Sequence, residues 1–124
     1  MIMMNFKIYT NNPDVAGQYP EFTRFCAGGV REVFTAVRDA VHMGARVLSH
    51  PLSGSIKPTQ SPYKSVVVSG ARGALDARSL SLIEDALGVL GKAEQRRGGF
   101  AADILADFRL IDLDLTNSAI KSLA

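Results

Sequence analysis

The side chains most able to do chemistry in this sequence gather in one polar stretch, residues 49–64. It holds His50, Ser53, Gly54, Ser55, Lys57, Tyr63 and Lys64. Within His50-Pro51-Leu52-Ser53-Gly54-Ser55-Ile56-Lys57-Pro58, the Ser-Gly-Ser turn can present N–H groups and hydroxyls to a phosphate or carboxylate, and Lys57 can neutralise it. The glycine spacing is not that of a Walker loop, and no helix start follows directly. An ordinary proline-stiffened turn competes evenly with a binding loop. His50, as an imidazole, is a candidate general base. No acid nearby in sequence orients it, however, and a hydrogen-bonded structural histidine competes. Asn11 and Asn12, just before Pro13, offer amides that either meet a ligand or cap a turn. Three other candidates read as scaffold. His42 lies at a helix end, where it can complement the dipole. Cys26 has no second cysteine to make a CxxC pair. Asp112 and Asp114, two apart, point apart on a helix and read as a cap plus a solvated acid.

Composition narrows the classes. Formal net charge is only +2 in 124 residues, and the arginines are interspersed with acids, not massed on one run. Aromatics are few and Trp is absent, so a nucleic-acid partner is not expected. No apolar run approaches the roughly 18 residues of a membrane helix. The start, Met1-Ile2-Met3-Met4-Asn5, lacks the basic and apolar regions of a signal peptide. One cysteine suits a reducing compartment, and a cytoplasmic protein is expected. No metal-ligand spacing or cofactor motif is present, and none is assigned.

The elements that must position these groups follow from periodicity. Residues 6–10 alternate as a strand and stop at Asn11-Asn12-Pro13. Asn12 can cap a short helix, 13–18, with Pro13 in its first position. A second strand is expected over 22–26. Val30, Val33, Phe34, Val37 and Val41 form a stripe on a helix over 30–43, closed by Gly44. A short buried strand follows at 46–49 and a valine-rich one at 64–69. Residues 75–97 carry the longest helical pattern, with Leu80, Ile83, Leu87 and Leu90 buried, Ala86 beside them and Asp76 as N-cap. Gly88 and Gly91 weaken this helix unless they admit close packing. In the tail a short helix over 102–107 is expected, then a last helix with Asp112 as N-cap.

Strands alternating with helices predict a single small α/β domain spanning 1–124. Its sheet is expected to be mostly parallel and four-stranded, with helices on its faces, in a Rossmann-like three-layer arrangement. The fourth strand is either parallel, after a long crossing, or the return of a wide hairpin. In such folds ligands bind beyond the carboxyl ends of strands, which places residues 10–13 and 49–57 at one edge, joined by Ser69-Gly70 if the fourth strand is parallel.

Several segments resemble the GrdX family. They are Tyr9-Thr10-Asn11-Asn12-Pro13; Val37-Arg38-Asp39 with His42 and Gly44; the run His50 to Pro58 with Pro62-Tyr63-Lys64-Ser65; and Phe108-Arg109-Leu110-Ile111-Asp112-Leu113-Asp114-Leu115. The central run is the most specific. The resemblance implies a small protein encoded with glycine, sarcosine or betaine reductase components in anaerobic amino-acid-fermenting bacteria. It implies no reaction and no catalytic set. The expectation is therefore an accessory protein that binds a small anionic ligand or a reductase component. Ser53, Ser55 and Lys57 would hold the anion, while Asn11, Asn12 and His50 shape the pocket. Two readings compete. One is an enzyme on a phosphorylated or carboxylated small molecule, with His50 as acid/base and Lys57 as electrostatic stabiliser. The other is an assembly factor without a ligand, which leaves homo-oligomerisation open.

Overall fold

The structure is a computed structural model that describes residues 5–52, 61–92 and 100–123. Strand β1 (Phe6–Thr10) is central. On one side it pairs in parallel with β2 (Thr23–Phe25), Tyr9 opposite Arg24. On the other it pairs antiparallel with β3 (Ser65–Ser69), Ile8 opposite Val67.

The expected four-stranded, mostly parallel Rossmann-like sheet is therefore corrected to a three-stranded mixed one, in the order β2-β1-β3. Residues 46–49 fail to form a ladder for a local reason. Only Val47 bridges β3, antiparallel to Val68. Beyond it, Leu48 and Ser49 both donate their N–H to the Val67 carbonyl, and the Ser49 hydroxyl accepts from Val67 N–H at 2.8 Å. Two residues thus oppose one, as in a bulge, and a side chain takes the next rung. Segment 46–49 and β3 form the wide hairpin, which turns β3 against β1.

The valine stripe on α2 (Val30–His42) behaves as its spacing requires, with Val30, Val33, Phe34, Val37 and Val41 fully buried. The helix ends at Gly44 in a Schellman motif, the N–H groups of Gly44 and Ala45 returning to Val41 and Ala40 at 2.9 and 3.0 Å. Gly44 has φ +100°, and a Cβ there would collide with the Gly73 carbonyl. Helix α3 (Ala77–Lys92) starts on Asp76, whose Oδ2 accepts from Ser79 N–H and Oγ at 3.1 and 2.6 Å. Expected helix residues 93–97 lie outside the described residues. Ser79 Oγ also accepts from Val47 N–H at 2.8 Å, tying α3 to the sheet edge.

Helices α2 and α3 close one core with Tyr9, Val66 and Val68. On the other face Phe6, Ile8 and Val67 pack with Val15 of α1 (Pro13–Gln18) and with Leu113, Ile120 and Leu123 of α4 (Ala102–Leu123). Strand alternation explains the split, since odd and even residues face opposite layers. Among the described residues, no helix is long and apolar enough to cross a membrane.

Gly88 and Gly91 do not admit close packing. Among the described residues, nothing lies within 4 Å of a Cβ built at either. Gly88→Ala should therefore stabilise the protein by up to about 1 kcal/mol, seen as a higher urea midpoint with an unchanged slope. A lower midpoint would mean that some packing role exists at this position.

The tail is also corrected. It is one helix of 22 residues, α4, and not a short helix followed by another capped by Asp112. Asp112 lies mid-helix and is only 6% exposed. Tertiary partners satisfy its carboxylate, so it has no need of a helix start.

Candidate functional site

Where β1 ends and β3 begins, buried polar side chains meet α4. Asn12 is the hinge of the arrangement. Its Oδ1 accepts from Asp14 N–H at 3.0 Å and so caps α1. Its Nδ2 donates to the Arg109 carbonyl at 2.9 Å and to Asp112 Oδ2 at 3.0 Å. The Ser65 hydroxyl donates to the same carboxylate oxygen at 2.7 Å. With its proton spent there, Ser65 accepts from Thr10 Oγ1 at 2.6 Å, and Thr10 Oγ1 accepts from Asn12 N–H at 2.9 Å. A directed chain therefore runs from Asn12 N–H through Thr10 and Ser65 to Asp112. Every proton in it points toward the carboxylate.

This chain forms one wall of a cavity of about 20 Å³ lined by Ser49, His50, Lys64, Ser65, Asp112, Leu115, Thr116 and Ala119. The space takes a water or the charged head of a small ligand and excludes anything bulky. Lys64 is 7% exposed. Burial pushes its ammonium below the ordinary lysine value, and the charge of Asp112 partly offsets this. Burial pushes the Asp112 carboxyl upward, against the opposing pull of Ser65, Asn12 and Lys64. An acid raised and an amine lowered around one cavity is the pairing from which proton transfer or tight charge recognition is built. Among the described residues, no group of three or more His, Cys, Asp or Glu is placed to hold a metal.

The structure divides the sequence-expected residues. His50 lines the cavity and is exposed, and its Nδ1 accepts from Leu52 N–H at 3.1 Å. A neutral His50 thus carries its proton on Nε2. Lys64 also lines the cavity. Asn11 is buried and clips loops together instead. Its Nδ2 donates to the carbonyls of Gly28 and Pro62 at 3.1 and 2.7 Å, and its Oδ1 accepts from Lys64 N–H at 3.0 Å. Asn11 therefore sets the backbone from which Lys64 projects. Tyr63 turns to α4, where its hydroxyl accepts from Arg109 at 3.0 Å and its ring lies 5.6 Å from the guanidinium carbon. Arg109 also pairs with Asp14 at 3.6 Å. Ser53, Gly54, Ser55 and Lys57 lie outside the described residues.

Sequence reasoning placed Thr10 at the strand-end edge without a role, missed Ser65 and Thr116, and assigned Asp112 to a cap. A signal was available. Asp112, Thr116 and Ala119 recur at four and three on a helix whose neighbouring positions 113 and 120 are apolar. A polar and small stripe beside an apolar one marks a face pressed against polar partners.

A family model described as GrdX-like protein matches residues 7–121. No curated protein and no solved structure matches the chain. The matched span contains the whole cluster of Asn12, Lys64, Ser65 and Asp112.

Proposed function

The chain belongs to the GrdX-like family, and from that premise we propose an accessory protein of the glycine, sarcosine or betaine reductase system. In this reading the cavity under His50 takes the charged head of a small anionic metabolite, or a charged group presented there by a reductase component. Lys64 carries the reading. An ammonium held in a low-dielectric cavity attracts an incoming anion more strongly than a solvated one does. His50, at the rim, adds a donor on Nε2.

A thermal-shift panel of glycine, sarcosine, betaine, acetyl phosphate and phosphate tests this reading, together with co-purification of reductase subunits. At least one ligand should raise Tm, and Lys64→Gln should abolish the rise. The reading is wrong if no ligand stabilises the protein and no reductase subunit is retained. Binding to the protonated amine also has a pH signature. Affinity should fall as pH rises through the lowered value of Lys64, earlier than an ordinary lysine would allow. Titrating affinity by calorimetry from neutral to alkaline pH checks the sign.

A second reading is favoured by one observation, that Asp112 shares the cavity with His50. An acid absent from the sequence neighbourhood of His50 arrives from α4, so acid–base chemistry on a phosphorylated or carboxylated small molecule has its two groups. If any turnover is found, it should fall at least about 100-fold in His50→Ala. Turnover that survives this change intact would dismiss the enzyme reading.

A further inference from the structure

At the other end of the sheet lies a second concentration of charge. Lys7 and Tyr9 share a face of β1, Arg24 is the register partner of Tyr9, and Lys7 is that of Val68. Helices α2 and α3 cover Tyr9 and Val68 on this face but leave Lys7 and Arg24 exposed. Just past β3, Arg72 completes the corner. The three cations line a groove of about 250 Å³ with Tyr9, Thr23, Val68, Ser69 and Gly70, and among the described residues no carboxylate is in its lining. A larger groove of about 450 Å³ shares Ser69 and Arg72 and adds Arg46. Its one acid, Asp76, is already engaged by Ser79 and by Arg46 at 3.9 Å.

The cations here are uncommitted. Among the described residues, Lys7, Arg24 and Arg72 make no side-chain hydrogen bond or ion pair, whereas Arg38, Arg46 and Arg109 each pair with an acid. Among the described residues the Thr23 hydroxyl is buried without a hydrogen-bond partner, while the polar groups of Ser69 and Gly70 are spent within the protein. Ser69 Oγ donates to the Ala71 carbonyl at 2.9 Å and accepts from Arg46 N–H at 2.8 Å, and Gly70 N–H donates to the Asn5 carbonyl at 3.0 Å. What the groove offers a ligand is therefore positive charge, two-thirds of it as planar guanidinium forks. Such forks match the paired oxygens of phosphate groups. Three cations converging without an acid repel one another until a multivalent anion arrives.

We propose that this groove binds a polyphosphate group, as the inorganic anion or as the tail of a nucleotide. It is separate from the cavity under His50, and the two sites stand or fall independently. Calorimetry with inorganic triphosphate, ATP and adenosine tests the idea on the full chain. Triphosphate should bind, and its affinity should weaken as salt rises. The Arg24→Ala/Arg72→Ala pair, both at exposed positions, should lower affinity at least tenfold, while Arg31→Ala, at an exposed position on α2 outside the groove, leaves it unchanged. Equal affinities for triphosphate and ATP would identify the inorganic anion. ATP bound at least tenfold more tightly would identify a nucleotide. The proposal is overturned if triphosphate does not bind, if the double variant binds it as well as the parent, or if adenosine alone binds.

Discussion

Asp112→Ala is expected to cost about 3–5 kcal/mol of stability, which lowers Tm by roughly 10–20 °C in a domain of this size. The side chain itself is small, so the lost apolar contact contributes little. The cost comes from what remains. Asn12 Nδ2 and the Ser65 hydroxyl lose the oxygen they share, at 3.0 and 2.7 Å. Buried donors left without an acceptor each cost about 1–3 kcal/mol. Lys64 loses the opposite charge that supports its ammonium in the cavity. Asp112→Asn keeps an acceptor and should cost much less. Equilibrium unfolding in urea measures both. Equal losses in the two variants would mean that volume, and not hydrogen bonding, governs the position.

The same pair of proteins exposes the sign of the electrostatics. Burial raises the Asp112 carboxyl above its ordinary value. The native state therefore holds this proton at pH values where the unfolded chain has released it. Stability linked to that proton is complete below about pH 4, the ordinary carboxylate value, and is lost as pH rises through the raised native one. The stability of wild type minus that of Asp112→Asn should decline over this interval and level off above it. A difference that grew with pH would show that the donors outweigh burial.

Gly44→Ala is the second large effect, expected at about 2–4 kcal/mol. Two independent demands meet at this residue. Its φ of +100° suits glycine alone among common choices, and the Gly73 backbone sits where a Cβ would go. Gly73 N–H donates to the Gly44 carbonyl at 3.0 Å, so relieving the collision also breaks that bond. Gly73→Ala is the control. Among the described residues no atom lies within 4 Å of its built Cβ, and its effect should stay within about 0.5 kcal/mol. Comparable losses at 44 and 73 would contradict the account.

Local patterns made much of this fold legible. The Asn12–Pro13 start of α1, the valine stripe of α2, the terminal Gly44 and the Asp76 cap are all short-range signals, and the structure has each where the sequence put it. Long-range pairing was not legible. A valine run such as 66–68 is buried on both faces in either direction, so periodicity cannot distinguish parallel from antiparallel β3. That choice was made by Val47 and the Ser49 hydroxyl, through one bridge and one side-chain rung. The site was half legible for a related reason. His50 and Lys64 stand in the polar stretch that composition singled out. Asp112 lies about 50 residues farther along, and its partner Asn12 is 100 residues away. An acid with an apolar neighbour on either side reads as a cap until the distant donors are known.

The double duty of Asn12 bears on how the chain is made. Its side chain caps α1, yet two of that side chain's three hydrogen bonds go to residues 109 and 112, which are synthesised about 100 residues later. Strand β1 likewise emerges early but has no antiparallel neighbour until residues 65–69 follow. The amino-terminal third therefore cannot reach its native state before α4 has been synthesised. It waits in a nascent form, with Ile8 and Val15 uncovered, until α4 docks. Contacts of such sequence separation delay folding, and here they tie the ordering of the amino-terminal third to that of α4.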